Sequence, residues 1–329
     1  DLGVDAPLVT KTSHPGDEIA FGKAPPRPFR MPVYGTGEGL RRDLGQRSEL
    51  FHGSAKGRLV LSGVEGVVEV AAHRQMRHEC YVRPDTIHRL NELNRHFYAE
   101  HASSFDDTRQ RGWPGFAQVL DRCRSLGIRH PSVLDLGCGN GRFGQYLLQR
   151  WPGPLRYVGT DQSTQLLGQA RQRLRSWSNV ALHRRDLIEG RLWERDRYDL
   201  VVAFGLMHHV PSFATRQRVL RHAVDVLAPS GMLAVTFWQF ARHERFRRKM
   251  VPWPELVRYV ERPVDEGDLE AGDYLLRWGA EGDAVRYCHH TSQREMERLV
   301  DGTAGRVVDR FCTDGSKGDL NRYLLLERK

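Results

Sequence analysis

Asp135 and the glycines behind it carry the strongest chemical signal in this chain. The run Val133-Leu134-Asp135-Leu136-Gly137-Cys138-Gly139-Asn140-Gly141-Arg142-Phe143-Gly144 reads as a strand, a tight turn and a helix N-terminus. Glycine has no Cβ, so such a turn lets backbone pass very close to a ligand. Glycine spacing alone is a weak dinucleotide signal. Asp135, two positions before Gly137, changes that reading: a carboxylate there repels a pyrophosphate and suits a cationic group. Two more acids stand where strands should end, Asp161 after Val158-Gly159-Thr160 and Asp186 in Arg185-Asp186-Leu187. In an open α/β sheet the ligand lies outside the carboxyl ends of the strands, so the three acids converge on one crevice. An acid after the second strand suits a ribose diol, because a carboxylate accepts two hydrogen bonds. Any one of these acids alone reads equally well as a helix cap or a solvated turn. A nicotinamide dehydrogenase would use the glycine loop and Asp161 but leaves Asp135 and Asp186 without a task.

The frame that must hold these residues is an alternation of strands and helices. Strands are expected at 132–136, 156–160, 180–183, 198–204 and 231–240, and helices at 142–151, 164–176 and 212–227. Alternation implies parallel pairing and right-handed crossovers, hence a doubly wound sheet. After a helix at 291–300, two β-like runs at 306–313 and 320–327 flank Asp314-Gly315-Ser316-Lys317-Gly318, a turn suited to an antiparallel hairpin. The expectation is therefore an α/β fold with a mostly parallel seven-stranded sheet ending in that hairpin. Upstream, helices are expected from Pro84 and over 115–126, with Phe116, Val119, Leu120 and Cys123 on one face of the second. Residues 241–285 break the alternation and read as an insertion at the ligand edge of the sheet.

Residues 1–82 differ in composition. Pro25-Pro26-Arg27-Pro28 and the glycines from Gly35 to Gly39 show no period, and only Arg58 to Val70 is β-like. This stretch reads as an extension of low order, with Met76 as an alternative start. The remainder, 83–329, reads as one domain. The 329 residues and 40% hydrophobic content support a sizeable core. No apolar run reaches membrane-span length and the start has no signal-peptide pattern. Cys80, Cys123, Cys138, Cys288 and Cys312 lack C-x-x-C spacing, which points to reduced thiols and a cytoplasmic setting. The net charge of +9 suits a polyanionic partner, or reflects an arginine-rich composition alone.

The segment D-L-G-C-G-N-G resembles the first motif of class I S-adenosylmethionine (SAM)-dependent methyltransferases, whose cofactor carries an amine and a sulfonium. The resemblance implies a Rossmann-like sheet with a final hairpin and SAM as cofactor. It assigns Asp161 to the ribose, and Asp186 with the Leu187 backbone to adenine. Asp135, Gly137, Cys138 and Gly139 line the methionine side, and Gln162 and Phe204 complete the set. A second resemblance covers roughly residues 95 to 325. Phe97-Tyr98 followed by Phe105-Asp106-Asp107-Thr108-Arg109-Gln110-Arg111-Gly112-Trp113-Pro114 is similar to the F-Y … F-x-x-T-R-x-K-P-W-P segment of the tRNA wobble-uridine carboxymethyl methyltransferases. Met207-His208-His209, Phe237-Trp238, Val251-Pro252-Trp253 and Arg286-Tyr287-Cys288-His289 match later stretches of that family. Gly112, Arg111 and Cys288 depart from its proline, lysine and tyrosine. The resemblance implies a methyl ester formed on a carboxymethyl group, with tRNA and a small activator subunit as partners and no membrane.

A carboxylate acceptor needs no base, being ionised near neutral pH, but needs a cation to orient it. Arg109 and Arg286 are the candidates, with His208 or His209 beside the transferred methyl. Trp113 and Trp238 are candidates for stacking on a flipped-out base, and Tyr287 and His289 for further substrate contact. Each has an ordinary alternative: surface ion pairs for the arginines, packing for the tryptophans, a backbone-satisfied helix start for the histidines. Neighbouring His208, His209, Cys288, His289 and His290 point different ways along a strand or helix, so no metal is expected. The basic stretch Arg242-His243-Glu244-Arg245-Phe246-Arg247-Arg248-Lys249 could position RNA through phosphates, or be a solvated helix. Transfer to a small-molecule carboxylate or hydroxyl stays open beside the tRNA reading, as does a SAM-binding protein without catalysis.

Overall fold

The computed structural model describes residues 82–107, 112–190, 197–279 and 284–329. The expected N-terminal extension and its β-like run lie outside the described residues. The chain enters on α1 (Pro84–Asp107), whose helical geometry breaks at His101, and α2 (Pro114–Ser125). Strand β1 (Ser132–Leu136) then leads through the glycine loop to α3 (Arg142–Arg150). There follow β2 (Arg156–Asp161), α4 (Thr164–Leu174), β3 (Val180–Arg184), β4 (Tyr198–Ala203), α5 (Phe213–Asp225) and β5 (Leu227–Trp238).

The main sheet has seven strands. Its order is β3-β2-β1-β4-β5-β10-β9, where β9 (Gly305–Thr313) and β10 (Asn321–Arg328) are the final pair. β1 runs parallel to β2 and β4, β2 to β3, and β4 to β5, whereas β10 is antiparallel to both β5 and β9. The strand order reverses between β1 and β4, so the crevice at their carboxyl ends is the topological switch point where ligands bind in such sheets. Both faces of the sheet are covered. One core packs Phe116 and Leu120 of α2, and Phe143 and Leu147 of α3, against Val133, Tyr157 and Leu200. The other packs Val219, Leu220 and Ala223 of α5, and Met296 and Leu299 of α7 (Gln293–Asp301), against Leu134, Val201 and Val235.

The stretch between β5 and α7, expected as an insertion, has regular structure of its own. It contains a short helix α6 (Glu244–Arg247) and a second, antiparallel sheet with order β6-β7-β8. The strands are β6 (Met250–Val251), β7 (Asp273–Trp278) and β8 (Ala284–His289), so Arg286–His289 belong to this sheet and not to the main fold. No strand period marks this sheet in the sequence, because β6 is only two residues long and the longest connection holds only 3₁₀ turns. α1 packs against β8 and α4 and so spans the small sheet and the cofactor side of the large one.

Candidate active site

Gly137 and Gly139 have φ of +69° and +55°, which only glycine adopts without strain. A Cβ on Gly139 would meet nothing within 4 Å, whereas one on Gly137 would press Leu206 Cδ1 at 3.0 Å. The loop is thus backed on one side and open on the other, a cradle of bare backbone. Cys138 is buried beneath it and its N–H donates to the Thr160 carbonyl at 2.9 Å, tying the loop to β2. Burial holds the Cys138 thiol neutral, well above its ordinary pKa.

Asp161 closes the cradle. Its Oδ2 accepts from the Gly139 N–H at 2.9 Å and its Oδ1 from the Ser163 N–H at 2.8 Å. Burial raises its pKa, and the N–H groups of Ser163, Gly139 and Gln162 oppose that rise. Each carboxylate oxygen keeps a lone pair for a diol. Asp135 is 2% exposed and accepts from the Tyr157 hydroxyl at 2.6 Å. Burial pushes its carboxyl up to about 7, with Tyr157 pulling it down and Asp161 adding to the rise. Gly144 makes this pair fit: a Cβ there would lie 2.7 Å from Tyr157 Cζ.

Asp186, expected at adenine, has protein partners on both carboxylate oxygens. Its Oδ1 caps the turn behind it, accepting from the Ile188 N–H at 2.8 Å and the Glu189 N–H at 3.0 Å. Its Oδ2 takes Asn91 Nδ2 at 3.1 Å and the Arg95 guanidinium, both from α1. Despite the opposing burial, these bonds hold its pKa below the usual carboxylate range. Arg95 also reaches Gln162 Oε1 at 3.4 Å, so α1 bridges the ends of β2 and β3. The Leu187 side chain is in the core and its carbonyl accepts from Arg218. Phe204, half-buried, joins an aromatic cluster, 5.0 Å from Phe116 and 4.9 Å from Phe143.

A second set of side chains gathers beside the turn after β4. The Trp238 ring lies 4.9 Å from His208. Arg286 is 5% exposed, and its guanidinium sits 5.1 Å from the Trp278 ring, 5.3 Å from Phe97 and 5.5 Å from Trp238. Its Nε is buried without a hydrogen-bond partner, and among the described residues no carboxylate pairs with it. Trp113 flanks the same turn. Arg142 covers its ring at 4.6 Å, and the ring edge comes within 3.3 Å of a Cβ built on Gly205, which would also lie 4.0 Å from His208 Cε1. Arg109 lies outside the described residues.

A family model described as a methyltransferase domain matches residues 134–233, the stretch from β1 to β5 that holds this cradle. Three relatives show the range of likeness. A methyltransferase-like protein of Encephalitozoon cuniculi is 26% identical over 213 residues, covering 65% of this chain and 87% of that one. Human "Probable tRNA methyltransferase 9B" is 27% identical over 162 residues, 47% of this chain and 32% of that one. The trans-aconitate 2-methyltransferase of an Azoarcus strain is 35% identical over 127 residues, 37% of this chain and 46% of that one. The matched stretch thus spans less than half the length of the last two. The chain carries a class I SAM-dependent methyltransferase domain.

In this methyltransferase two residues of the R-Y-C-H run do not reach the crevice. The Tyr287 hydroxyl donates to Asp273 Oδ1 at 2.7 Å; His289 bonds Asp273 through Nδ1 at 2.7 Å and Glu295 through Nε2 at 2.9 Å. Strand alternation sends them to the face opposite Arg286. His209 is also structural. Its Nδ1 donates to the Tyr287 carbonyl at 3.2 Å, so its Nε2 is the acceptor for the Tyr98 hydroxyl at 2.7 Å. Cys288, His208 and His209 offer atoms within 4.8 Å of one another. With both His209 nitrogens engaged and the Cys288 thiol pushed up to about 11 by burial, this is a weak donor set. Sequence reasoning missed Asn91, Asn94 and Arg95 of α1, Trp278 of β7, and Arg216 of α5. Among the described residues no helix is long and apolar enough to cross a membrane.

Proposed function

We propose that this SAM-dependent methyltransferase makes a methyl ester on a carboxylate, and that the acceptor is the carboxymethyl group of a modified tRNA uridine. One observation carries the reading: Arg286 is a buried guanidinium with aromatic walls and no counter-charge among the described residues. Burying an unpaired cation costs several kcal/mol, and three cation–π contacts of about 0.5–2 kcal/mol each offset part of it. An anion arriving with the substrate completes the balance, and a carboxylate matches the planar fork of arginine.

The cofactor supplies an electrophilic methyl group. A carboxylate acceptor would take that methyl on oxygen with the sulfur as leaving group, and would need no base because it is already ionised. The chain's own task is alignment: Arg286 holds the carboxylate, Trp238 and His208 wall the approach, and Asp161 with the Gly137–Gly139 backbone holds the cofactor. Arg242, Arg245, Arg247, Arg248 and Lys249 follow the end of β5 and suit phosphate contacts from an RNA. A small activator subunit and a cytoplasmic setting belong to the same reading.

The second reading, a free small carboxylate, is favoured by the likeness to trans-aconitate 2-methyltransferase. It uses the same Arg286 chemistry without RNA. The deciding experiment incubates the protein and labelled SAM with tRNA bearing 5-carboxymethyluridine, and separately with trans-aconitate. Ester in the tRNA nucleosides by mass spectrometry, with none on trans-aconitate, is the expected result. Label on trans-aconitate alone replaces the tRNA reading, and label on neither removes both.

A further inference from the structure

The two faces of β8 lead to different places. Arg286 and Cys288 share the face that carries Leu276 and Trp278 of β7, beside Trp238 and Phe240. Tyr287 and His289 share the other face with Asp273, and there they meet charges from the main fold. Arg216 of α5 is 1% exposed and binds Glu270 and Glu295, the latter at 2.8 Å. Its Nη1 also donates to the Val210 carbonyl at 3.0 Å, in the segment after β4. Glu295, on α7, accepts at the same time from His289. Glu270 Oε1 accepts from the Phe213 N–H at 2.7 Å, at the first residue of α5. Two cations and three carboxylates thus join α5 and α7 of the core to β7, β8 and the chain leading into β7.

The outer edge of β8 is tied as well. The Tyr287 N–H donates to Asn94 Oδ1 of α1 at 2.9 Å, and its carbonyl accepts from His209. β8 ends its sheet, so these two side chains take backbone groups that no neighbouring strand can take. We propose that the Arg216–Glu270–Glu295–His289–Asp273 cluster is a clasp that locks β8 to the core and thereby positions Arg286 in the acceptor pocket. It rests on the reading of Arg286 as the carboxylate anchor. The residues of the clasp touch neither cofactor nor acceptor; they act through the backbone of β8. Because consecutive strand residues alternate faces, a shift at His289 is transmitted to Arg286 three residues away along a stiff extended segment. A displacement of about 1 Å in such a positioning group is enough for a roughly 100-fold loss of rate.

The test uses the full chain with His289→Gln, and with Glu295→Gln as a milder second variant should the first fail to fold. Hydrogen exchange, affinity for S-adenosylhomocysteine and kcat/KM for the acceptor are measured on each. The expected result is exchange at least tenfold faster in residues 273–278 and 284–289, with 132–136, 156–161 and 198–203 unchanged. Affinity for S-adenosylhomocysteine stays within twofold of the parent, and kcat/KM falls about 30- to 100-fold. Unchanged exchange in β7 and β8 overturns the clasp. So does equal opening of the core strands with a matching loss of cofactor affinity, which marks a general structural cluster. If Arg286→Ala leaves transfer intact, the carboxylate reading fails instead, and the exchange data still decide whether the cluster holds β8.

Discussion

At the strand ends of the large sheet, Asp135, Asp161 and Asp186 are partly or fully buried, and each has donors built in: Tyr157 for Asp135, loop N–H groups for Asp161, a turn and α1 for Asp186. On the small sheet, Arg286 is as deeply buried and has aromatic rings but no acceptor among the described residues. The two regions therefore answer the cost of buried charge differently. The cofactor side is satisfied within the protein and preformed. The proposed acceptor side is one anion short among the described residues, which is what a site needs if its counter-charge comes with the substrate.

Arg216 and Arg286 allow the sharpest attack on this contrast, since both are buried guanidiniums and only one is paired. Arg216→Met leaves Glu270 and Glu295 buried without their cation, and should lower stability by about 3–5 kcal/mol in urea denaturation. Arg286→Met should do the opposite. Replacing an unpaired buried cation with an apolar chain should leave stability unchanged or raised by about 1 kcal/mol, while acceptor turnover falls at least about 100-fold and SAM affinity holds. Equal destabilisation by both substitutions would mean that Arg286 has a structural partner, and the contrast would collapse.

The same contrast explains which parts of the site were legible in the sequence. The glycine loop, Asp135 and Asp161 have partners a few residues away or on the adjacent strand, so motif and alternation were enough to expect them together at the strand ends. The succession of β1 to β5 along the chain and the final hairpin follow from the same local signals. The engagement of Asp186 was not legible because its partners Asn91 and Arg95 stand 95 and 91 residues earlier, on a helix whose docking no local pattern reveals. Tyr287 and His289 were grouped with Arg286 because the run was read as a motif rather than as a strand. The period of two alone would have separated them. Phe204 follows a buried strand and reads as well for core as for crevice; it packs against Phe116 and Phe143.

The cofactor side can be sharpened through pH. Asp135 has its carboxyl raised to about 7 by burial, so the folded chain holds a proton there that the unfolded chain has released. Its contribution to stability is fully present below the unfolded carboxylate pKa and is lost as pH rises through about 7. A cationic amine bound beside it favours the ionised form. SAM affinity should therefore rise with pH up to about 7 and then level, as read by calorimetric titration. Tyr157→Phe removes the bond that lowers this pKa, so the rise should move to higher pH and affinity at pH 7 should drop about three- to tenfold. A pH-independent affinity in both proteins would separate Asp135 from the cofactor.

The smallest expected effect concerns the surface. Glu244 pairs with Arg247 of α6 and with Arg248 just past its end, and all three are exposed, so Glu244→Gln should leave the melting temperature unchanged. If the basic segment meets phosphates, that change frees two guanidiniums and removes a like charge from the RNA. Affinity for tRNA should rise about two- to threefold, with a steeper fall against added salt. Transfer to trans-aconitate should not move, because Arg286 is buried away from that surface. A matching gain with the small acid, or no gain with tRNA at low salt, would take the basic segment out of substrate binding and leave the acceptor side defined by the Arg286 box alone.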